Sequence, residues 1–153
     1  MYTSIVVGTD GSAPARKAVL AATEVARRFG AHLHVVSAYH VFGQMVVVAP
    51  AQEEKVVAAA GDEDHVRADV EAMLRDLAKE IEGEGVTVTT HVTHDNAAQA
   101  ILDVAERQRA DLIVVGNRGM HNPRFLGSVP NNVVHHAPCS VLVVHTWPGS
   151  AAN

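Results

Sequence analysis

The sequence predicts an α/β fold: an open five-stranded parallel sheet in the order 3-2-1-4-5, with helices on both faces as in Rossmann-like proteins. Short apolar runs alternate along the chain with segments of helical spacing. Four of the five runs are continuously apolar, as expected of parallel strands buried on both faces. Hydrophobic residues make up 48% of the chain and aromatic residues only 4%, so the predicted core consists mainly of small aliphatic side chains.

The first strand and the first helix are bounded by turn residues. Residues 4–9 form a short apolar run that we interpret as a buried strand. Ser12 is a candidate N-cap for the helix that follows, and Pro14 suits its first turn. Alanine and valine then repeat at helical spacing up to Gly30, which ends the helix. A second strand is predicted at residues 32–38.

The remaining elements continue this alternation. They are predicted as a helix over 62–81, a strand over 86–92, a helix over 97–108, a strand over 111–116, a helix over 129–136 and a strand over 140–145. Residues 39–61 show no clear period, and their apolar pieces at 45–48 and 56–60 are compatible with a lid, a short helix or a partner contact. We expect one domain over residues 1–147, with a tail over 148–153.

Composition narrows the function classes. Twelve Lys and Arg residues against seventeen Asp and Glu residues give a net charge of −5, which argues against nucleic-acid binding but not against one bound nucleotide. No apolar run approaches the roughly 18–20 residues that span a membrane, and no signal peptide is apparent. The single cysteine, Cys139, precludes an internal disulfide, so we expect a cytoplasmic protein in which this thiol belongs to the core.

Glycine and polar residues follow two of the predicted strands. Thr9, Asp10 and Gly11 come after the first strand, and Gly116 and Asn117 come after the fourth. In the predicted strand order these two strands flank the switch point, where open α/β sheets bind ligands. Asp10 is therefore a candidate contact for a ribose hydroxyl or a metal-bound phosphate, the alternative being an Asx turn that starts the next helix.

The segment after the fourth strand predicts an anion site. Gly127 and Ser128 lie just before a predicted helix, where unpaired N–H groups and the helix dipole favour a phosphate. Ser128 either donates to a phosphate oxygen or caps the helix, and Arg118 and Arg124 offer positive charge. The segment is not a Walker A loop, because it lacks Gly-Lys-Ser/Thr. By themselves the glycines are also compatible with a loop that only ends the strand.

Three stretches, residues 5–12, 110–116 and 126–144, resemble the universal stress protein family over almost the whole chain. ATP-binding members of that family carry the pattern G-x2-G-x9-G-(S/T). The resemblance implies ATP as ligand, with or without Mg²⁺, and a set of nucleotide-binding positions. By matching position these are the phosphate and ribose contacts Gly116, Gly119, Gly127, Ser128 and Val129, the ribose neighbours Thr9 and Asp10, and the adenine edge Val36, Ser37 and Ala38.

The chain departs from that pattern in the length of one loop. Seven residues separate Gly119 from Gly127, where the pattern has nine, and Pro123 stiffens the shorter loop. A ligand with one phosphate, such as cyclic AMP, is therefore an alternative to ATP. A protein-interaction module that binds no nucleotide is a second alternative, although this chain retains the glycines. We expect no catalytic residues and at most slow ATP hydrolysis.

Two further features concern metals and partners. The ten histidines include the close pair His32 and His34, but no third ligand stands at a recognisable spacing, so no metal site is expected. The last strand is apolar between Val141 and Val144, although it should form an edge of the sheet. We therefore expect a homodimer in which this strand pairs antiparallel with its copy, as the family resemblance also implies.

Overall fold

Six strands and four helices make up the described part of the chain. The structure is a computed structural model that describes residues 1–42, 45–48, 63–117 and 126–146, with 40–42 and 45–48 described by their backbone. In chain order the elements are β1 (Ser4–Gly8), α1 (Ala13–Phe29), β2 (His32–Phe42), β3 (Met45–Val48), α2 (Glu63–Gly83), β4 (Val88–His94), α3 (Ala97–Arg107), β5 (Leu112–Gly116), α4 (Ser128–His136) and β6 (Ser140–Val144). Within these ranges, no helix has the length and apolar character needed to cross a membrane.

The five parallel strands lie in the order β4-β2-β1-β5-β6, which confirms the predicted 3-2-1-4-5 sheet. β1 lies at the centre, and its Ile5 is opposite Leu33 on one side and Leu112 on the other. The connection after β1 leads to β2 and the connection after β5 leads to β6, in opposite directions across the sheet. The carboxyl ends of β1 and β5 therefore form the switch point.

A sixth strand occupies part of the segment for which no regular structure was predicted. β2 continues to Phe42, and β3 pairs with it antiparallel from Tyr39↔Val48 to Phe42↔Met45. Tyr39 also pairs with His94 of β4, so β3 must lie along the other edge of β2, the edge that β1 uses further back. Residues 49–62, including the apolar piece at 56–60, lie outside the described part of the chain.

Two separate aliphatic cores cover the two faces of the sheet. Alternate residues of each strand point to opposite faces, so Ile5 and Val7 pack under α1 and α2 while Val6 packs under α3 and α4. α1 contributes a row of small side chains, which brings the helix close to the sheet. The helix ends follow the predicted chemistry: the Ser12 hydroxyl accepts from the Ala15 N–H at 3.2 Å, and Gly30 takes φ 65°.

β4 lies two residues further along the chain than the predicted strand over residues 86–92. The strand runs from Val88 to His94, because its pairing with β2 begins at Leu33↔Val88. Gly85, with φ 79°, still forms the turn that leads from α2 toward the strand. Val86 precedes the strand but is buried in the core. Its apolar side chain therefore reflects burial, and it does not mark the start of β4.

α3 packs so closely on the end of β1 that Gly8 has no room for a side chain. A Cβ placed on Gly8 falls 2.5 Å from Cδ1 of the buried Ile101. We expect Gly8→Ala to lower the free energy of unfolding by about 1–3 kcal/mol, as overpacking of a core does. Ile101→Val removes the clashing methyl group, so the double variant should recover part of this loss.

Gly83→Ala is the matched control, because nothing lies within 4 Å of a Cβ at that position. Urea denaturation of the wild type, of Gly8→Ala and Ile101→Val singly and combined, and of Gly83→Ala measures the effects. A Gly8→Ala loss equal to that of Gly83→Ala, or strictly additive losses in the double variant, would show that Ile101 does not limit the packing.

Candidate functional site

The topology brings the predicted residues after β1 and β5 to the same edge of the sheet. Val7 pairs with Val114, so Thr9 and Asp10 follow β1 next to the place where Gly116 ends β5. The Thr9 N–H donates to the Val36 carbonyl at 2.8 Å, which holds the start of this turn against β2. The ends of β1 and β5 therefore meet at the carboxyl edge, beside the middle of β2.

Asp10 forms the Asx turn that was the alternative reading of its position. Its Oδ1 accepts from the Ser12 N–H at 2.9 Å, and the Thr9 hydroxyl oxygen accepts from the Gly11 N–H at 3.2 Å. Gly11 takes φ 78°, which few other residues adopt without strain. The turn fixes the Asp10 carboxylate at the edge where the ligand role was predicted, and that role remains a prediction.

Val36, Ser37 and Ala38 lie inside β2, which continues four residues beyond the predicted strand over 32–38. All three are buried, so their side chains are core residues. On the edge of β2 that faces β1, the last pair is Gly8↔Val36 and the next is Tyr39↔Val48. Ser37 and Ala38 thus have no paired neighbour on that edge among the described strands, and we call this interruption the edge notch.

The edge notch leaves backbone groups of β2 without a strand partner among the described residues. Because the Val36 carbonyl accepts from Thr9, and because strand residues two apart point to the same edge, the N–H and C=O of Ala38 point into the notch. One donor and one acceptor side by side complement the ring nitrogen and the amino group of adenine. The main chain therefore offers hydrogen-bonding groups at this edge, while the side chains of this stretch pack in the core.

The turn after β5 is held by a contact that the sequence did not reveal. The Thr146 N–H and hydroxyl both donate to Oδ1 of Asn117, at 2.8 and 3.2 Å, and the Asn117 N–H donates to the Val144 carbonyl at 2.8 Å. Thr146 is only 3% exposed. A Cβ on Gly116 would fall 2.9 Å from Cγ2 of Thr146, so this packing explains the glycine.

α4 begins without a capping side chain. Gly127 is the N-cap, with φ −61° and ψ 166°, and no side-chain oxygen accepts from the first turn. Ser128 is the first helical residue and does not cap the helix, so the predicted capping role is wrong. The helix also begins one residue earlier than the predicted start at Val129. The first N–H groups of a helix lack intrahelical partners, so this end of α4 offers donors to an anion.

Other predicted residues fall outside this description or play a different part. Arg118, Gly119 and Arg124 lie outside the described residues, and so do residues 147–153, which include the predicted tail over 148–153. Lys17 of α1 supplies a cation at the same edge, where its Nζ donates to the Thr146 carbonyl at 3.4 Å.

Cys139 is half-buried, and burial raises the pKa of its thiol, as expected of a core cysteine. Within the described ranges, no three His, Cys, Asp or Glu side chains are arranged to hold a metal ion.

The Asn117 contact generates a stability prediction. Asn117→Ala leaves the buried Thr146 N–H without its acceptor, so the free energy of unfolding should fall by about 1–3 kcal/mol. Asn117→Asp keeps an oxygen at the same place and should lose less. Asn131→Ala, at an exposed position of α4, is the control. Thermal or urea denaturation measures the stability of each variant. An Asn117→Asp variant as unstable as Asn117→Ala would contradict the contact with Thr146.

Comparison with known proteins gives a consistent picture. The profile of the universal stress protein family matches residues 1–145. A universal stress protein of Mycobacterium tuberculosis is 33% identical over 151 residues, covering 95% of this chain and 97% of the relative. One from Thermus aquaticus is 34% identical over 149 residues, covering 94% and 99%.

Solved structures agree with the sequence comparisons. A universal stress protein crystallised in complex with cAMP superimposes with a TM-score of 0.72 at 30% identity, covering 95% of this chain and 99% of that one. The chain belongs to the universal stress protein family.

Proposed function

We propose that this protein binds an adenine nucleotide at the carboxyl edge of the sheet and acts as a cytoplasmic stress-response regulator. The observation that carries the proposal is the meeting of three features at one edge. They are the edge notch beside Ala38, the turn at Asp10, and the β5 end at Gly116, from which the chain leads to the uncapped start of α4. Backbone donors and acceptors explain how an acidic chain, with a net charge of −5, can hold a phosphate.

Each part of the nucleotide has a group of matching chemistry. The edge notch takes adenine through the N–H and C=O of Ala38. The Asp10 carboxylate accepts from a ribose hydroxyl, and the N–H groups that follow Gly127 donate to phosphate oxygens. The Ser128 hydroxyl adds a donor, and Val129 contributes its backbone N–H. Arg118 and Gly119 would complete the phosphate contacts from the loop between Gly116 and Gly127.

ATP, with Mg²⁺ on its phosphates, is the first ligand we propose, since the glycine pattern of ATP-binding relatives is present except for the loop length. Two observations favour cAMP as the second candidate. The loop between Gly119 and Gly127 has seven residues, which suits fewer phosphates. In addition, the similar protein that was crystallised with cAMP shares 30% identity with this chain. We assign no general base, so ATP should be hydrolysed slowly or not at all.

A homodimer through β6 is the assembly we propose. β6 is the last strand of the sheet, and on the described residues its outer edge has no paired strand. Leu142 on this strand is 38% exposed, and Val134 of the neighbouring α4 is also exposed. Antiparallel pairing with the same strand of a second copy would satisfy the edge and cover Leu142.

Thermal denaturation with added nucleotide tests the binding proposal. At a concentration about 100-fold above Kd, ATP with Mg²⁺, or cAMP, should stabilise the protein by about 2.7 kcal/mol. Gly127→Asp places a carboxylate at the N-cap of α4, which suits the helix but repels a phosphate. The variant should fold normally and bind nucleotide at least about tenfold more weakly.

Gly83→Asp carries the same charge change at the far end of α2 and should retain binding. Competition between ATP and cAMP then identifies the preferred ligand. No stabilisation by either nucleotide would reject the proposal and leave the interaction module that binds no nucleotide.

Light scattering at micromolar concentration tests the dimer. Leu142→Lys places two like charges across the proposed two-fold axis, so the dimer should dissociate into folded monomers. Leu20→Lys, at a position of α1 that is 58% exposed, is the matched control and should remain dimeric. A wild-type protein that is monomeric at this concentration would exclude the β6 interface.

A further inference from the structure

Three histidines lie together on one face of the sheet, in the amino-terminal half of β2 and the middle of β4. His32 and His34 are two residues apart on β2, so they share a face. The register places Thr89 opposite His34 and His91 opposite Val36, which puts His91 on that same face. This is the face covered by α3 and α4, since Val36 belongs to their core.

The strand register brings two ring nitrogens into direct contact. Nδ1 of His34 lies 3.1 Å from Nε2 of His91, although the residues are 57 positions apart in the chain. The ring of His32 stacks on that of His34 with centroids 4.4 Å apart and planes 4° from parallel. Two imidazole nitrogens bound to one tetrahedral Zn²⁺ lie about 3.3 Å apart, because each Zn–N bond is about 2.0–2.1 Å long.

We propose that His34 and His91, joined by His32, bind a late first-row divalent cation such as Zn²⁺. Two histidines at alternate positions of one strand and a third on the adjacent strand present three imidazoles to one side of a sheet. Such a set leaves a fourth position for water. The ligands are nitrogen donors only, which disfavours Mg²⁺ and Ca²⁺ and separates this site from the proposed Mg²⁺–nucleotide site.

The protonation states suit a metal ligand. Burial, together with the neighbouring charges of His32 and His91, lowers the pKa of His34 to about 4. Burial and the charge of Arg107 also lower the pKa of His91. Both rings are neutral at pH 7, and one donates its N–H to the other. Metal binding needs both facing lone pairs, so that proton moves to the second nitrogen of its own ring and no net proton is released.

One side chain has to turn for the third ligand to engage. Nε2 of His32 is 2.8 Å from the Thr89 hydroxyl, and in this arrangement the three rings do not converge on one point. His32 is only partly buried, whereas His34 is 5% exposed and fixed by its neighbours. The fixed pair therefore supplies the first two ligands, and rotation of His32 away from Thr89 supplies the third.

Arg107 is the charge that opposes binding. This residue ends α3 and is exposed. Its positive charge disfavours a second positive charge at His91, which is why it lowers the pKa of that ring. Removing it should tighten metal binding, whereas removing any ligand should weaken it. The opposite signs of these two effects distinguish a site at the cluster from unspecific binding to surface histidines.

Titration calorimetry with Zn²⁺ alone, on protein freed of metal and nucleotide, tests the proposal. The wild type should bind one Zn²⁺ per chain. His91→Gln keeps a polar side chain beside His34 and should bind more than about tenfold more weakly, since loss of a direct ligand exceeds a typical outer-shell effect. His32→Gln should also bind more weakly, and Arg107→Gln should bind severalfold more tightly.

The double variant His135→Gln/His136→Gln removes two exposed histidines of α4 and is the matched control, with unchanged affinity expected. Co²⁺ should show the visible bands of a four-coordinate nitrogen site in the wild type and lose them in His91→Gln. No saturable binding by the wild type, or His91→Gln equal to the control, would overturn the proposal. An unaffected His32→Gln would overturn the three-ligand form. Nucleotide affinity is measured separately, so neither result decides the proposed function.

Discussion

β1 ends at Gly8 while its neighbour β2 continues to Phe42, and this difference in length shapes the carboxyl edge. If β1 were two residues longer, it would pair with Ser37 and Ala38 and close the edge notch. The Asx turn at Asp10 prevents this by directing the chain away from the sheet immediately after Thr9. β3 bounds the notch at its other end, where Val48 of β3 pairs with Tyr39 of β2. The proposed binding edge is therefore a consequence of strand lengths, and the side chains of that stretch remain in the core.

The second constraint at this edge is the contact between Asn117 and Thr146. It joins the turn after β5 to the chain that leaves β6, and Gly116 has no side chain because Thr146 packs against it. The proposed nucleotide site and the proposed dimer edge are thus separated by one buried hydrogen-bonded contact. Lys17 links α1 to this contact, because its Nζ donates to the Thr146 carbonyl. The phosphate side of the proposed site is consequently attached to β5, to the chain that leaves β6 and to α1.

The sheet order and the helix ends were predictable because they depend on local patterns. Continuous apolar runs indicate buried parallel strands, and Ser12 and Gly30 have roles that neighbouring residues decide. Contacts between distant residues carry no such pattern. His34 meets His91 only because the register of β2 and β4 places them together, and Asn117 meets Thr146 through the pairing of β5 and β6. The β2–β3 pairing was missed because residues 39–61 show no clear period, so no local pattern marked where β2 ends or where β3 begins.

The histidine cluster is the polar exception in an aliphatic sheet. Burying His34 costs free energy unless its ring nitrogens are satisfied, and among the described residues no buried side-chain nitrogen or oxygen lacks a hydrogen-bond partner. The contact with His91 provides one partner, but an aliphatic pair at these positions would extend the core of α3 without that cost. A purely structural role accounts for these residues one contact at a time, through the His34–His91 hydrogen bond and the contact of His32 with the Thr89 hydroxyl. A metal site explains all three residues, because each additional imidazole adds a ligand on the same face.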